Sequence, residues 1–243
     1  QLPKPPPLDP RKASLGREAA LLQKRVEAQQ ATPQDRQRLL ELLVGLDRKP
    51  EAINLLEGLA DRDPQQWSLR LMLAELRRDQ GDRPGAEREL RQILHQRPTL
   101  IEALQLMALV LLEQNRGQEA ETLVRGAYAA SSKPPIKPQA LEQGLLLAEV
   151  QQRRGTPAAA EATYRQLLAA FPGDQRPPLG LALLQESQGN LKGALESLDQ
   201  ARLRGEKGGT LDAANRATID RLATEWRLRA LRQPPPKIGE TPP

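Results

Sequence analysis

The feature that most constrains the fold is an alanine that recurs along the chain with a 34-residue period. It occupies five positions: Ala52, Ala86, Ala120, Ala160 and Ala194. The one longer step, from the third to the fourth alanine, holds a six-residue insertion at 135–140. A fixed period of about 20 to 50 residues is the sequence signature of a repeat array. We therefore predict five repeats, at 33–66, 67–100, 101–134, 141–174 and 175–208.

Other places within the repeat also keep one type of residue. The seventh place is Leu or Met, and the eighth is Ala in four repeats, with Leu40 the exception. Glycines near the middle of three repeats, at Gly81, Gly155 and Gly189, are typical of a turn. The pattern predicts two antiparallel helices joined at this turn, with small residues at the eighth and twentieth places that let the helices approach closely.

A single helical hairpin cannot bury its apolar face, whereas a stack of neighbouring hairpins can. The predicted fold class is therefore all-α: an α-solenoid of about five helix-turn-helix repeats with an N-terminal helix and a C-terminal capping helix. An irregular helical bundle with accidental periodicity is the alternative interpretation of the same pattern.

The 34-residue period, the paired small residues and the prolines that close three repeats (Pro64, Pro98 and Pro172) resemble the tetratricopeptide repeat family. The resemblance covers about 170 of the 243 residues, and it points to no specific member. It implies an α-solenoid that binds proteins or peptides. The chain departs from the family consensus at the fourth place, where the family has Trp and this sequence has Arg36, Arg70, Leu104, Gly144 and Pro178.

The segments outside the repeats divide by composition. Residues 1–13 form a Pro-rich leader that we expect to be disordered, although a Pro-rich ligand for a partner domain has the same composition. An N-terminal helix is predicted at 14–31, with Ser14 as its N-cap. After a flexible joint that begins at 202, a capping helix is predicted within 209–232, followed by a Pro-rich tail at 233–243.

The predicted capping helix has an apolar stripe that should cover the end of the array. The stripe comprises Leu211, Ala214, Thr218, Leu222 and Trp226. Arg216, Arg221, Arg227 and Arg229 would then face water. A basic amphipathic helix that binds a membrane surface or an acidic partner is the alternative.

Composition excludes most kinds of chemistry. There is no Cys, which excludes disulfides and thiolate chemistry, and His95 is the only His, which excludes a multi-histidine metal site. We predict no catalytic residue, no metal ligand, no cofactor and no small-molecule substrate, so the protein is not expected to be an enzyme. The net charge of +5 is spread over both signs without a dense basic run, which disfavours nucleic-acid binding.

The resemblance also implies a binding surface, because the first helix of each pair lines the concave side of such arrays. Thirteen residues are predicted to contact a partner there: Glu41, Leu71, Glu75, Arg78, Glu102, Leu109, Leu112, Glu113, Leu145, Glu149, Arg153, Leu183 and Glu186. Acids outnumber bases on this face, and the family's clamp for a C-terminal carboxylate is absent, since its places hold residues such as Gln37 and Glu41. A basic or amphipathic segment is the expected ligand. The alternative is that the acids are ordinary solvated residues and the leucines pack adjacent hairpins.

The sequence thus predicts a non-enzymatic scaffold or assembly factor that binds a protein or peptide. The alternatives are a structural subunit of a larger, possibly membrane-tethered, complex and, third, a nucleic-acid binder. We expect a cytoplasmic location. Because the sequence begins with Gln1 rather than Met, membrane tethering or export through a segment before Gln1 stays open.

Overall fold

The structure is a computed structural model that describes residues 9–232. The predicted tail at 233–243 and the first eight residues of the predicted leader lie outside the described residues. The described part consists of α-helices, whose bounds are α1 Pro10–Glu27, α2 Pro33–Gly45, α3 Lys49–Arg62, α4 Trp67–Asp79, α5 Arg83–Gln96, α6 Ile101–Glu113, α7 Gly117–Ser131, α8 Ala140–Arg153, α9 Pro157–Ala170, α10 Arg176–Ser187, α11 Leu191–Gly208 and α12 Ala213–Arg232. The prediction of an all-α fold is confirmed.

The chain divides into two compact units, and the division falls within α6. The N-terminal unit ends at Val110 and the C-terminal unit begins at Leu111. In the N-terminal unit, α2 packs against α1 and α3, and α4 packs against α3 and α5. In the C-terminal unit, successive helices from α7 to α12 pack against each other, and α8 also touches α10.

The places that recur in the sequence are the buried places of the fold. The alanines at the twentieth place are all 0% exposed, and the residues at the seventh and eighth places are all buried. So are the residues at the twenty-fourth place, which are Leu56, Leu90, Val124, Tyr164 and Leu198. Small side chains at these positions allow close helix packing, and the large ones fill the space between helices. We propose that the pairs α2/α3, α4/α5, α6/α7, α8/α9 and α10/α11 are the five repeats, since each pair lies almost entirely within one predicted boundary.

One backbone conformation recurs at the fifteenth place of every predicted repeat. Gly81, Gly155 and Gly189 have φ values of 82°, 74° and 78°, in the left-handed region. Asp47 and Asn115 adopt the same conformation at 59°, although they are not glycines. At each site the next residue donates a backbone hydrogen bond to a carbonyl five residues back, as in Arg48 to Leu43 at 2.8 Å. This bond closes the first helix with a Schellman turn and starts the return helix.

The start of the first helix was predicted wrongly. Helix α1 begins at Pro10, not at 14, and ends at Glu27, before the predicted limit of 31. Its N-cap is Asp9, whose side chain accepts a hydrogen bond from the backbone N–H of Arg11 at 2.9 Å, and Ser14 lies inside the helix. Proline is favoured in the first turn of a helix, so the last Pro of the Pro-rich leader starts α1 rather than preventing it.

The predicted flexible joint is also wrong. Helix α11 continues through it to Gly208, and Gly209 ends the helix in the left-handed conformation at φ 66°. Helix α12 then starts at Ala213, and its buried face is Ile219, Ala223 and Trp226. Of the predicted stripe, Trp226 is buried and Leu211 and Leu222 pack against the same cluster, whereas Ala214 is exposed and Thr218 only half-buried.

Candidate functional site

The predicted contact residues lie on the first helices of the helix pairs and none of them is buried. Because the chain has two units, they form two groups. The N-terminal unit carries Glu41, Leu71, Glu75, Arg78, Glu102 and Leu109, and the C-terminal unit carries Leu112, Glu113, Leu145, Glu149, Arg153, Leu183 and Glu186. All thirteen are therefore sterically able to meet a partner, and their role in binding stays a prediction.

In the C-terminal unit three carboxylates on the first helices, those of Glu142, Glu149 and Glu186, are bound by arginines. Arg176 on α10 contacts Glu142 on α8, so this pair joins two first helices. Arg153 contacts Glu149 on the same helix at 2.9 Å, and Glu186 contacts Arg229 of α12. The acidity that the sequence predicts for this face is therefore largely neutralised within this unit.

Arg176 is held in place from two sides. Asp174 accepts hydrogen bonds from its backbone N–H and from its guanidinium, both at 2.9 Å, and Glu142 lies on the other side. The hydrogen bond to Asp174 raises the pKa of Arg176, and Glu142 adds to the shift. Partial burial acts to raise the pKa of Asp174, but the hydrogen bonds from Arg176 outweigh it and hold that pKa below its ordinary value.

The N-terminal unit keeps more of its negative charge available. Glu41 lies 3.6 Å from Arg38, and Asp79 lies 3.7 Å from Arg78 and 4.0 Å from Lys49. Glu75 and Glu102 are exposed and make no ion pair with any residue of the described chain. Glu75 and Glu102 therefore contribute negative potential that no counterion in the described chain offsets. Because both carboxylates are exposed, salt screens this potential.

The apolar residues of the face differ in how much they can offer a ligand. Leu183 is 46% exposed, whereas Leu145 is partly buried against the cluster formed by α8, α9 and α10. Leu145 thus belongs in part to the core, as the alternative interpretation proposed. Leu183 remains as an accessible apolar contact of the C-terminal unit.

Buried polar pairs, which the sequence pattern did not predict, also hold helices of a pair together. The hydroxyl of Thr163 donates a hydrogen bond to the amide oxygen of Gln151 at 2.8 Å. In the same way, the hydroxyl of Ser197 donates to the amide oxygen of Gln185 at 2.7 Å. Both pairs join the eleventh and the twenty-third places of their repeats. All four residues are buried, and the spacing that the two pairs share in the sequence was the signal that could have revealed them.

Comparison with known proteins identifies the family. Two tetratricopeptide repeat models match the sequence, one at residues 48–110 and the other at residues 145–219. The chain belongs to the tetratricopeptide repeat family. A comparison with curated protein sequences gives no match.

Solved structures of tetratricopeptide repeat proteins share the fold. Yeast Tom70 superposes with a TM-score of 0.61 and 14% identity over 92% of this chain, which corresponds to 46% of the Tom70 chain. A tetratricopeptide repeat protein from Parabacteroides merdae superposes with a TM-score of 0.51 and 16% identity, covering 89% of this chain and 94% of its own. At these identities the likeness concerns the fold alone.

Proteins of the tetratricopeptide repeat family are generally non-enzymatic scaffolds that bind proteins or peptides. Within residues 9–232, no three His, Cys, Asp or Glu side chains cluster in a way that could hold a metal ion. In the same range, no helix has both the length and the apolar character that crossing a membrane requires. His95 lies exposed on α5. The fold and family thus support a protein–protein interaction scaffold.

Proposed function

We propose that this tetratricopeptide repeat protein is a scaffold or assembly factor that binds a basic or amphipathic segment of a partner protein on the exposed face of its first helices. The observation that carries the proposal is the pair of unpaired glutamates, Glu75 and Glu102. Exposed carboxylates without a counterion attract a cationic segment and set its orientation. Nearby half-buried leucines, such as Leu71 and Leu109, would contact its apolar side chains.

A defined peptide tests this proposal. The probe is a fluorescein-labelled amphipathic peptide made of Lys and Leu, about five helical turns long, titrated against the full chain and followed by fluorescence anisotropy. We expect binding that weakens about fivefold or more when both Glu75→Lys and Glu102→Lys are introduced, because rim charges govern association and its salt dependence. Glu196→Lys, an exposed change on the second helix α11, is the matched control and should leave binding unchanged.

Two further peptides separate charge from sequence. A peptide with Glu in place of every Lys should not bind, and a shuffled peptide of the same composition without an apolar stripe should bind more weakly. Equal affinity of the wild type and the doubly reversed variant for the Lys/Leu peptide would contradict the proposal. So would equal losses in the doubly reversed variant and in the Glu196→Lys control.

A structural subunit of a larger complex is the second candidate, and α12 favours it. Leu228 and Leu231, three residues apart on this helix, are 51% and 83% exposed. The two side chains lie close together on one helix, and a partner that covered them would bury this apolar surface. Sedimentation of the full chain tests this candidate: a monomer that stays dispersed at high concentration, and is unaffected by Leu228→Gln and Leu231→Gln, argues against it.

A further inference from the structure

The N-terminal unit contains a cleft that the repeat pattern does not predict. It lies between α2, the C-terminal end of α3 and the first turns of α4, with a volume of about 440 Å³. Its walls are mostly apolar and are formed by Leu40, Leu59, Leu69 and Met72, the last of which is 40% exposed. None of the thirteen predicted contact residues lines it.

Two arginines also line the cleft, and both are without a partner. The guanidinium groups of Arg36 on α2 and of Arg62 near the end of α3 make no hydrogen bond or ion pair with any residue between 9 and 232. The Nε atom of Arg36 is buried in this state. A buried hydrogen-bond donor without an acceptor is costly, and the cost is larger on a charged group.

The same two places of the repeat are occupied by arginine elsewhere in the chain, and there the side chains are bound. Arg70, at the fourth place like Arg36, donates to Glu89 at 2.9 Å and to the carbonyl of Ala60 at 3.3 Å. Arg204, at the thirtieth place like Arg62, donates to the carbonyls of Leu168 at 2.9 Å and Pro172 at 3.4 Å. Free guanidinium groups are therefore not a general property of these places.

The charge of the cleft is positive. Asp63 is its one carboxylate, and its Oδ1 already accepts a hydrogen bond from the backbone N–H of Gln65 at 3.3 Å. Two guanidinium groups thus face one carboxylate beside an apolar floor. A ligand that supplies carboxylates and a large apolar side chain would satisfy both features.

We propose that this cleft binds an internal segment of a partner protein in which large apolar side chains are flanked by Asp or Glu. The volume lies within the range of about 300 to 1,000 Å³ for ligand sites, which is enough for one or two large apolar side chains. Two guanidinium groups on different helices match two carboxylates on either side of the apolar anchor. The cleft adjoins the predicted face, since its lining residue Gln37 donates a hydrogen bond to Glu41 at 3.4 Å, but its charge preference is the opposite.

A blocked peptide tests the cleft. The probe is a short peptide with an acetylated N-terminus, an amidated C-terminus and a Leu-Phe pair flanked by two Glu on each side in a Ser background. It carries a fluorescein and is titrated against the full chain by anisotropy. We expect binding that falls at least about tenfold in the double variant Arg36→Gln/Arg62→Gln, because bonds to charged groups are the strong ones. Arg17→Gln, an exposed change on α1, is the control and should bind like the wild type.

A second variant tests the apolar wall. Met72→Glu places a negative charge at the cleft on an exposed side chain outside the core clusters, so it should weaken the same peptide at least about tenfold while the circular dichroism spectrum stays helical. Peptides with Gln for Glu, or with Ser for Leu and Phe, should bind at least about tenfold more weakly, since each lacks one half of the match.

Four results would overturn the proposal. The first is that the acidic peptide does not bind the wild type at millimolar concentration, and the second is that the double arginine variant binds it with unchanged affinity. The third is that the Arg17→Gln control loses as much affinity as the double variant. The fourth is that binding requires a free C-terminal carboxylate. Displacement of the peptide by a fatty acid that binds more tightly, with the same dependence on Arg36 and Arg62, would assign the cleft to a lipid instead.

Discussion

Two identical substitutions in the N-terminal unit, Gly81→Ala and Gly58→Ala, should have opposite effects on stability. A Cβ added at either glycine meets no heavy atom within 4 Å, so neither change alters packing. The two positions differ in backbone conformation. Gly81 has a φ of 82°, in the left-handed region, whereas Gly58 lies in the interior of α3.

The magnitudes follow from the backbone alone. The left-handed conformation costs an L-residue about 1 to 2 kcal/mol, and alanine recovers part of this by restricting the unfolded chain, so we expect Gly81→Ala to lower the free energy of unfolding by about 1 kcal/mol. In a helix interior, alanine is better than glycine by about 0.5 to 1 kcal/mol, so Gly58→Ala should raise it by that amount. The two variants should therefore differ by about 1.5 to 2 kcal/mol.

Urea unfolding of the full chain, followed by circular dichroism, gives the comparison. Long repeat arrays can lose two-state behaviour, so amide hydrogen exchange in α3, α4 and α5 should accompany it to locate the change in the N-terminal unit. Thermal midpoints should move about 2 to 4 °C per kcal/mol in opposite directions. If Gly81→Ala stabilises the protein as Gly58→Ala does, the turn at the fifteenth place is not left-handed and the explanation of the repeat turn is wrong.

Three further changes have definite expected outcomes. Ala194→Leu, at a fully buried place, should overpack the helix pair and cost about 1 to 3 kcal/mol in denaturation experiments; an unchanged midpoint would mean that the repeat register is wrong. Thr163→Val leaves the buried amide oxygen of Gln151 without its hydroxyl donor and should cost about 1 to 3 kcal/mol, measured the same way; no loss would show that the buried pair is dispensable. Asp82→Ala removes the N-cap of α5 and should cost about 1 kcal/mol at neutral pH. The hydrogen bond from the backbone N–H of Gly85 holds the pKa of Asp82 below its ordinary 3.8, so the wild type's advantage is present above that pH and is lost as pH falls through the lower folded pKa; a gap that is the same at pH 7 and pH 2 would contradict this.

The fold could be predicted because the repeat places its constraints at fixed intervals. Where two helices approach closely only a small side chain fits, and Ala52 and its four equivalents meet this requirement. Gly81, Gly155 and Gly189 supply the left-handed conformation that the turns need. The turns at Asp47 and Asn115 could not be seen in the same way, because Asp and Asn also occur widely in other conformations and do not mark the left-handed region as glycine does.

The departure from the family consensus at the fourth place has a structural counterpart in the C-terminal unit. A Cβ at Gly144 would collide with Leu167 and Tyr128, so side chains of neighbouring helices fill the space that a larger residue on α8 would take. The sequence alone does not reveal this exchange, because the residues that compensate are far apart in the chain. The residue at the fourth place by itself therefore suggests that a packing contact is missing. In the structure, Leu167 and Tyr128 fill that space instead.

The ends of the array were the least predictable part. Local composition suggests a leader through 13 and a glycine-rich joint from 202 to 210, but both segments contain residues that helices accept. Asp9 and Pro10 form a good helix start, and Gly209 forms a good helix end one residue after Gly208. Proline and glycine mark both breaks and boundaries, and only the packing of α11 against α10 and α12 decides between them.

For the candidate face, a count of charges along the sequence overestimates the charge that a ligand would meet. The exposed positions follow from helical periodicity, but the pairing of Glu142 with Arg176 and of Glu186 with Arg229 depends on which helices are neighbours in space. Reversing either glutamate would place a lysine against its arginine and disturb helix packing, so a loss of binding there would not report on the ligand. Glu75 and Glu102 have no such partner among the described residues, which makes them the two positions on this face where a change in affinity after charge reversal can be assigned to the surface itself.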